Sequence, residues 1–142
     1  MSKSVPRTRF DPLVGIRERT ELRALENLAN AHGYLQRAAR RLEGVRRSAN
    51  ADGRVAGTAK LWIVEEDAHA RARAALHAAE REVAAAAREE RSAQATYQVA
   101  QRAAEVARRA REGKRAEILA ERARAEGRAL DEQATLAFNA RR

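Results

Sequence analysis

The sequence predicts an all-α protein, a long antiparallel two-helix coiled-coil hairpin with a longer C-terminal helix. Three observations predict it. Charged residues make up 35% of the 142, aromatics 4%, and alanine supplies most of the 44% that count as hydrophobic. Alanine buries little area, so this inventory cannot build a sizeable globular core. The dominant residues, Ala, Arg, Glu, Leu and Gln, are among the best helix formers, which argues for long helices over disorder. Finally, leucines and alanines recur seven residues apart, the spacing of a coiled-coil seam.

The elements run in order within a single domain, 1–142. Residues 1–9 read as a flexible arm. Asp11 as N-cap and Pro12 at the first helical position then open helix 1, expected over 11–48. Leu28, Leu35 and Leu42 fall at sevens, with Leu25, Ala31, Ala38 and Val45 near the same face. Gly33 and Gly44 weaken this helix by about 1 kcal/mol each without ending it. The turn is expected over 49–58, within "SANADGRVAGT", where Asp52-Gly53 and Gly57 break the pattern and Thr58 can cap the next helix.

Helix 2 is expected over 59–140. Ala72, Ala79, Ala86, Ala93, Ala100 and Ala107 recur at sevens, and Leu76, Val83 and Tyr97 keep the other seam position, interrupted by Glu90. Leucine on one helix facing alanine on the other lets the two approach closely. A short connection makes the pair antiparallel. Trp62, in "KLWIV", is expected to plug the closed end, with an exposed docking knob at the tip as the other reading. Folding about residue 54 places residue 10 opposite roughly residue 98, so about 40 residues of helix 2, roughly 60 Å, project beyond helix 1. Val99, Val106, Ile118, Leu119, Leu130, Leu136 and Phe138 are too few to hold that overhang alone, and such a helix waits for a partner. Gly113 and Gly127 are places where it could bend. Phe10, Leu13 and Ile16 open helix 1 at the same pole and are placed to meet another protein, together with Phe138.

Composition also bounds the chemistry. With no cysteine, disulfides and thiolate metal sites are excluded, and a reducing, cytoplasmic home is expected. No run approaches a membrane span, and "MSKSVPRTRF" has no signal core. His32, His69 and His77 are the only histidines. Glu65 and His69 share a face near Asp67, but a solvated charged face is the plainer reading of that group than a metal site, which needs three or more convergent ligands. No phosphate loop and no nucleophile with a neighbouring base appear, so no enzyme, cofactor or metal is expected. The net charge of +9 calls for an acidic partner. Arg108, Arg109, Arg111, Lys114 and Arg115 form a basic block, followed by Arg122, Arg124 and Arg128. Interleaved Glu105, Glu112, Glu117, Glu121 and Glu126 mark an ion-paired helix instead, and no aromatics stand ready to stack on bases. Nucleic acid is therefore not the expected partner. A basic coiled-coil nucleic-acid binder is kept as the rival reading, beside a generic coiled coil that dimerises through its alanine face.

Both ends of the chain resemble the FliJ family of flagellar export proteins. "RFDPLVGIRERTE" is similar to the family's start, an aromatic, then Pro-Leu, then an aliphatic followed by Arg-Glu. "ILAERARAEGRALDEQATLAF" is similar to its C-terminal signature, and a turn followed by tryptophan, here Trp62, lies between. The resemblance implies a non-enzymatic stalk in the pore of the hexameric export ATPase, in a flagellar or injectisome type III system. It further implies contact with the cytoplasmic domain of the export gate and a link to export chaperones. The protein would be cytoplasmic, peripheral to the inner-membrane export apparatus, and monomeric when free. Carried across residue by residue, the ATPase contacts fall on Arg17, Arg122, Arg128, Leu130, Asp131 and Glu132. The gate face falls on Ala68, Ala72, Leu76 and Ala79.

Overall fold

The structure, a computed structural model, describes residues 5–51 and 59–140. It contains two helices, α1 over Asp11–Ala51 and α2 over Ala59–Asn139, of 41 and 81 residues. No strand occurs among the described residues. The two helices pack as a hairpin. Most of the expected turn, 52–58, lies outside the described residues, as do residues 1–4 of the expected arm. The chain divides into two packed units: unit 1 is Met1–Glu21 with Ala100–Arg142, and unit 2 is Leu22–Val99.

In unit 1 the start of α1 is fixed by a capping box that differs from the expected cap. Thr8, not Asp11, is the capping residue. The Thr8 N–H donates to Asp11 Oδ2 at 2.7 Å, and the Phe10 N–H donates to Thr8 Oγ1 at 3.3 Å. Thr8-Arg9-Phe10-Asp11 thus satisfies helix-end donors reciprocally, as Ser/Thr-x-x-Glu does. Pro6, within the expected arm, is buried. Val14 is 1% exposed and packs in a unit whose α2 segment buries Ala100, Ala104 and Ala107.

In unit 2 the inward residues keep the heptad spacing. On α1, Ala24 and Ala38 are buried, and Leu28, Ala31, Leu35, Leu42 and Val45 are half-buried. On α2, Ala79 and Ala86 are buried, with Leu76, Val83, Glu90, Ala93 and Tyr97 half-buried. Alanine therefore forms the tightest contact on both helices, with leucine flanking it. A helix pair closes to short range only where side chains are small. Leu25 is exposed and Ala24 takes the inward position.

The ion pairs define the register. In unit 1, Asp11 pairs with Arg115 at 2.8 Å and Glu21 with Arg108 at 3.2 Å. In unit 2, His32 meets Glu90 at 2.5 Å, Arg41 meets Glu82 at 2.9 Å and Arg46 meets Glu80 at 3.7 Å. Within each unit the α2 numbers fall as the α1 numbers rise, so the helices are antiparallel. The expected register, with residue 10 near residue 98, is corrected by Asp11 meeting Arg115. A seam of alanine at every seventh residue fits several offsets equally, so seam spacing alone does not choose among them.

This register has two consequences. Among the described residues, no ion pair joins α2 to α1 before Glu80, and Leu61, Trp62, Ile63 and Val64 are all exposed, Trp62 at 63%. The expectation that Trp62 plugs the closed end is thus overturned. At the other end, every described residue from Leu119 to Ala140 is exposed. This uncovered stretch is about 20 residues, roughly 30 Å long, half what folding about residue 54 would leave. Gly113 and Gly127 lie inside an unbroken α2.

Candidate partner-binding surface

Unit 1 holds the residues expected to meet the ATPase without gathering them at one point, because Asp11 lies opposite Arg115 and α2 carries 122–138 past the start of α1. Phe10, Leu13, Ile16 and Arg17 come from the first turns of α1, and Arg122, Arg128, Leu130, Asp131, Glu132 and Phe138 from the end of α2. The helical repeat splits the opening apolar group. Val14 turns inward, while Leu13 and Ile16 stay on the outside, Ile16 at 53%. Phe10 is half-buried, with the Arg9 guanidinium 5.2 Å from its ring centroid. Arg17 and the six α2 residues are exposed.

Charge in this unit is arranged in pairs. Arg108 reaches both Glu21 and, at 3.8 Å, Glu18. Arg109 pairs with Glu105 along the helix, and Lys114 Nζ lies 2.6 Å from Glu117. The Lys114 bond raises the lysine pKa, and the same bond lowers that of Glu117. The Asp11 carboxyl is held below its ordinary 3.8 first by the Thr8 N–H, then by Arg115, with partial burial opposing. Arg111 lies close enough to lower Asp11 as well. Its Nε is buried without a hydrogen-bond partner among the described residues, as is that of Arg115. Four cations of the basic block, Arg108, Arg109, Lys114 and Arg115, thus pair with carboxylates of the same chain. Arg17, Arg122, Arg124 and Arg128 have no carboxylate partner among the described residues.

Residues proposed for the gate lie in unit 2. Ala68 is exposed, Ala72 and Leu76 are half-buried, and Ala79 is buried inside the hairpin. Three of the four, Ala72, Leu76 and Ala79, belong to the helix seam, and Ala79 is not available to a partner. The exposed apolar residues nearby are Leu61 to Val64, of which Trp62 was expected in the interior. Unit 2 also holds an open groove of about 440 Å³, lined by Ala24, Ala31 and Ala93 with Asn27, Asn30, Tyr34, Glu89, Ser92 and Thr96. It opens where small seam residues on both helices leave room at the edge. Among the described residues, no three of His, Asp and Glu converge to hold a metal, and no helix is long and apolar enough to cross a membrane.

A two-helix hairpin whose buried contacts are mostly alanine belongs to the class of coiled-coil proteins. The particular family is settled by comparison: the family model described as Flagellar FliJ protein matches residues 6–142. The chain belongs to the FliJ family, and so is a component of flagellar protein export and type III secretion. No curated protein and no solved structure matches it.

Proposed function

We propose that the chain is the stalk of the flagellar export ATPase. The uncovered end of α2 and the first turns of α1 enter the hexameric ring, where an asymmetric rod biases subunits toward different states because it touches each one differently. Ring assembly or ATP turnover rises as a result. The observation behind this reading is the exposure of α2 from Leu119 onward, where Leu119, Leu130 and Leu136 stand uncovered among charges. A helix of this composition gains little by standing alone and is stabilised by a partner. Arg17, Arg122 and Arg128 supply cations for acidic groups in the pore. The gate contact falls to Ala68 and the outer edges of Ala72 and Leu76, and export chaperones are a further partner class. The protein works in the cytoplasm beside the inner-membrane apparatus, and is a monomer until it binds.

The test is to mix the full chain with a flagellar export ATPase and measure hexamer formation and hydrolysis rate. Stimulation that disappears when residues 119–142 are removed is the expected result. Absence of binding and of stimulation by the full chain would end the reading. A gel shift persisting at about 200 mM salt would favour nucleic acid instead.

A further inference from the structure

On the stalk reading, we propose that unit 1 meets the export ATPase with one side only, and that this side takes an apolar segment of the ring carrying a single carboxylate. Two residues turn an α-helix by about 200°, so side chains two apart stand nearly opposite. The ion pairs of Asp11 with Arg115, and of Glu18 and Glu21 with Arg108, lie along one side of the paired helices. Leu13 stands two past Asp11, and Ile16 two short of Glu18. On α2, Val106 stands two short of Arg108, Ala110 two past it, and Gly113 two short of Arg115. These five therefore share the side away from the ion pairs. Leu13 is 39% exposed, Ile16 53% and Val106 67%, and a Cβ added at Gly113 meets nothing within 4 Å.

Arg17 is the charge in the middle of this side. It follows Leu13 by four residues and precedes Thr20 by three, spacings that make them neighbours on the helix surface. It is exposed and has no carboxylate partner among the described residues. Toward the start of α1, Arg9 lies over the Phe10 ring, and Lys114 pairs with Glu117. Uncovered Leu13, Ile16 and Val106 favour an apolar partner. The small residues Ala110 and Gly113 leave room beside Val106 for that partner's larger side chains. A lone arginine in such surroundings calls for a carboxylate, because a cation covered by apolar contacts and left unpaired is costly. An arginine ringed by contacts that exclude water is the usual make-up of an interface hot spot. Arg122 and Arg128, by contrast, stand exposed on the uncovered end of α2. A pair made by Arg17 is shielded from salt by its apolar surroundings, and pairs made by those two are not.

The test uses the full chain with a flagellar export ATPase and reads the chain concentration that gives half-maximal stimulation. Val106→Asp, at a position the hairpin does not bury, should raise it about tenfold or more. Gln101→Asp adds the same charge on the ion-pair side, seven residues before Arg108, and should leave it within about twofold. The loss caused by Arg17→Gln should be the same at about 0.05 and 0.3 M salt, and the loss caused by Arg122→Gln should shrink. Because the chain has no cysteine, single cysteines report coverage independently of turnover. Maleimide labelling of Val106→Cys should slow when the ATPase is added, and that of Gln101→Cys should not. Equal effects at 106 and 101, or an Arg17→Gln loss that fades with salt, overturn the proposal and leave the stalk reading standing. A wild-type chain that neither binds nor stimulates ends both.

Discussion

Thr8 and Asp11 show how much rests on four residues. Thr8→Ala removes an acceptor from the first turn of α1 and should cost about 1 kcal/mol, seen as a lower Tm. The lowered Asp11 pKa fixes a sign. A carboxyl held below its ordinary value stabilises the fold fully above that value, 3.8, and the contribution is lost as pH falls through the lowered one. Asp11→Asn should therefore melt earlier than the wild type at about pH 7, with the difference closing as pH falls below 3.8 through the lowered value. A constant gap across that range would contradict the Arg115 and Thr8 contacts. The cap is visible in the sequence as Thr-x-x-Asp, but Pro12 beside Asp11 makes the aspartate look like the capping residue.

At the scale of the helices, seam positions can be read from sequence and register cannot. Leu28, Leu35 and Leu42 on α1 and the alanines on α2 fall inward as their spacing requires, since the repeat determines which face is apolar. Spacing says nothing about which heptad meets which, and the turn, unlike a two-residue hairpin loop, does not impose it. The paired charges hold that information, and Asp11 with Arg115 is a contact across 104 residues of sequence. The expectation for Trp62 fails for the same reason, because its burial assumes a register. Its emission should be that of a water-exposed indole, readily quenched by acrylamide; a blue-shifted, protected emission would contradict the exposure. The tightness of the alanine contact gives another prediction. Ala104 is 0% exposed, so Ala104→Leu should destabilise by about 1–3 kcal/mol in thermal or urea unfolding. Gly113 meets nothing within 4 Å of an added Cβ and sits in α2, so Gly113→Ala should stabilise by about 1 kcal/mol.

For the molecule as a whole, the net charge of +9 is carried unevenly between paired and unpaired cations. Arg108, Arg109, Lys114 and Arg115 are matched by carboxylates, and among the described residues Arg17, Arg122 and Arg128 are not. Replacing Arg122 and Arg128 by Gln should lower ATPase stimulation at low salt and flatten its decline as salt rises, because exposed charges act within about 10 Å at 0.1 M. Equal salt dependence in variant and wild type would show that these arginines do not meet the partner. The family can be read from the two ends of the chain, whose motifs sit in unit 1. The gate face cannot, since three of its four residues belong to the seam that holds the hairpin together.

The last turns of α2 are exposed throughout their described residues and are not covered by α1. Arg122, Arg124 and Arg128 lie there, and each is a cleavage point for trypsin. Brief digestion should shorten the chain from its C-terminal side while the paired helices stay intact. On the proposed stalk role, ageing preparations would then stop stimulating the ATPase long before they lose their circular dichroism.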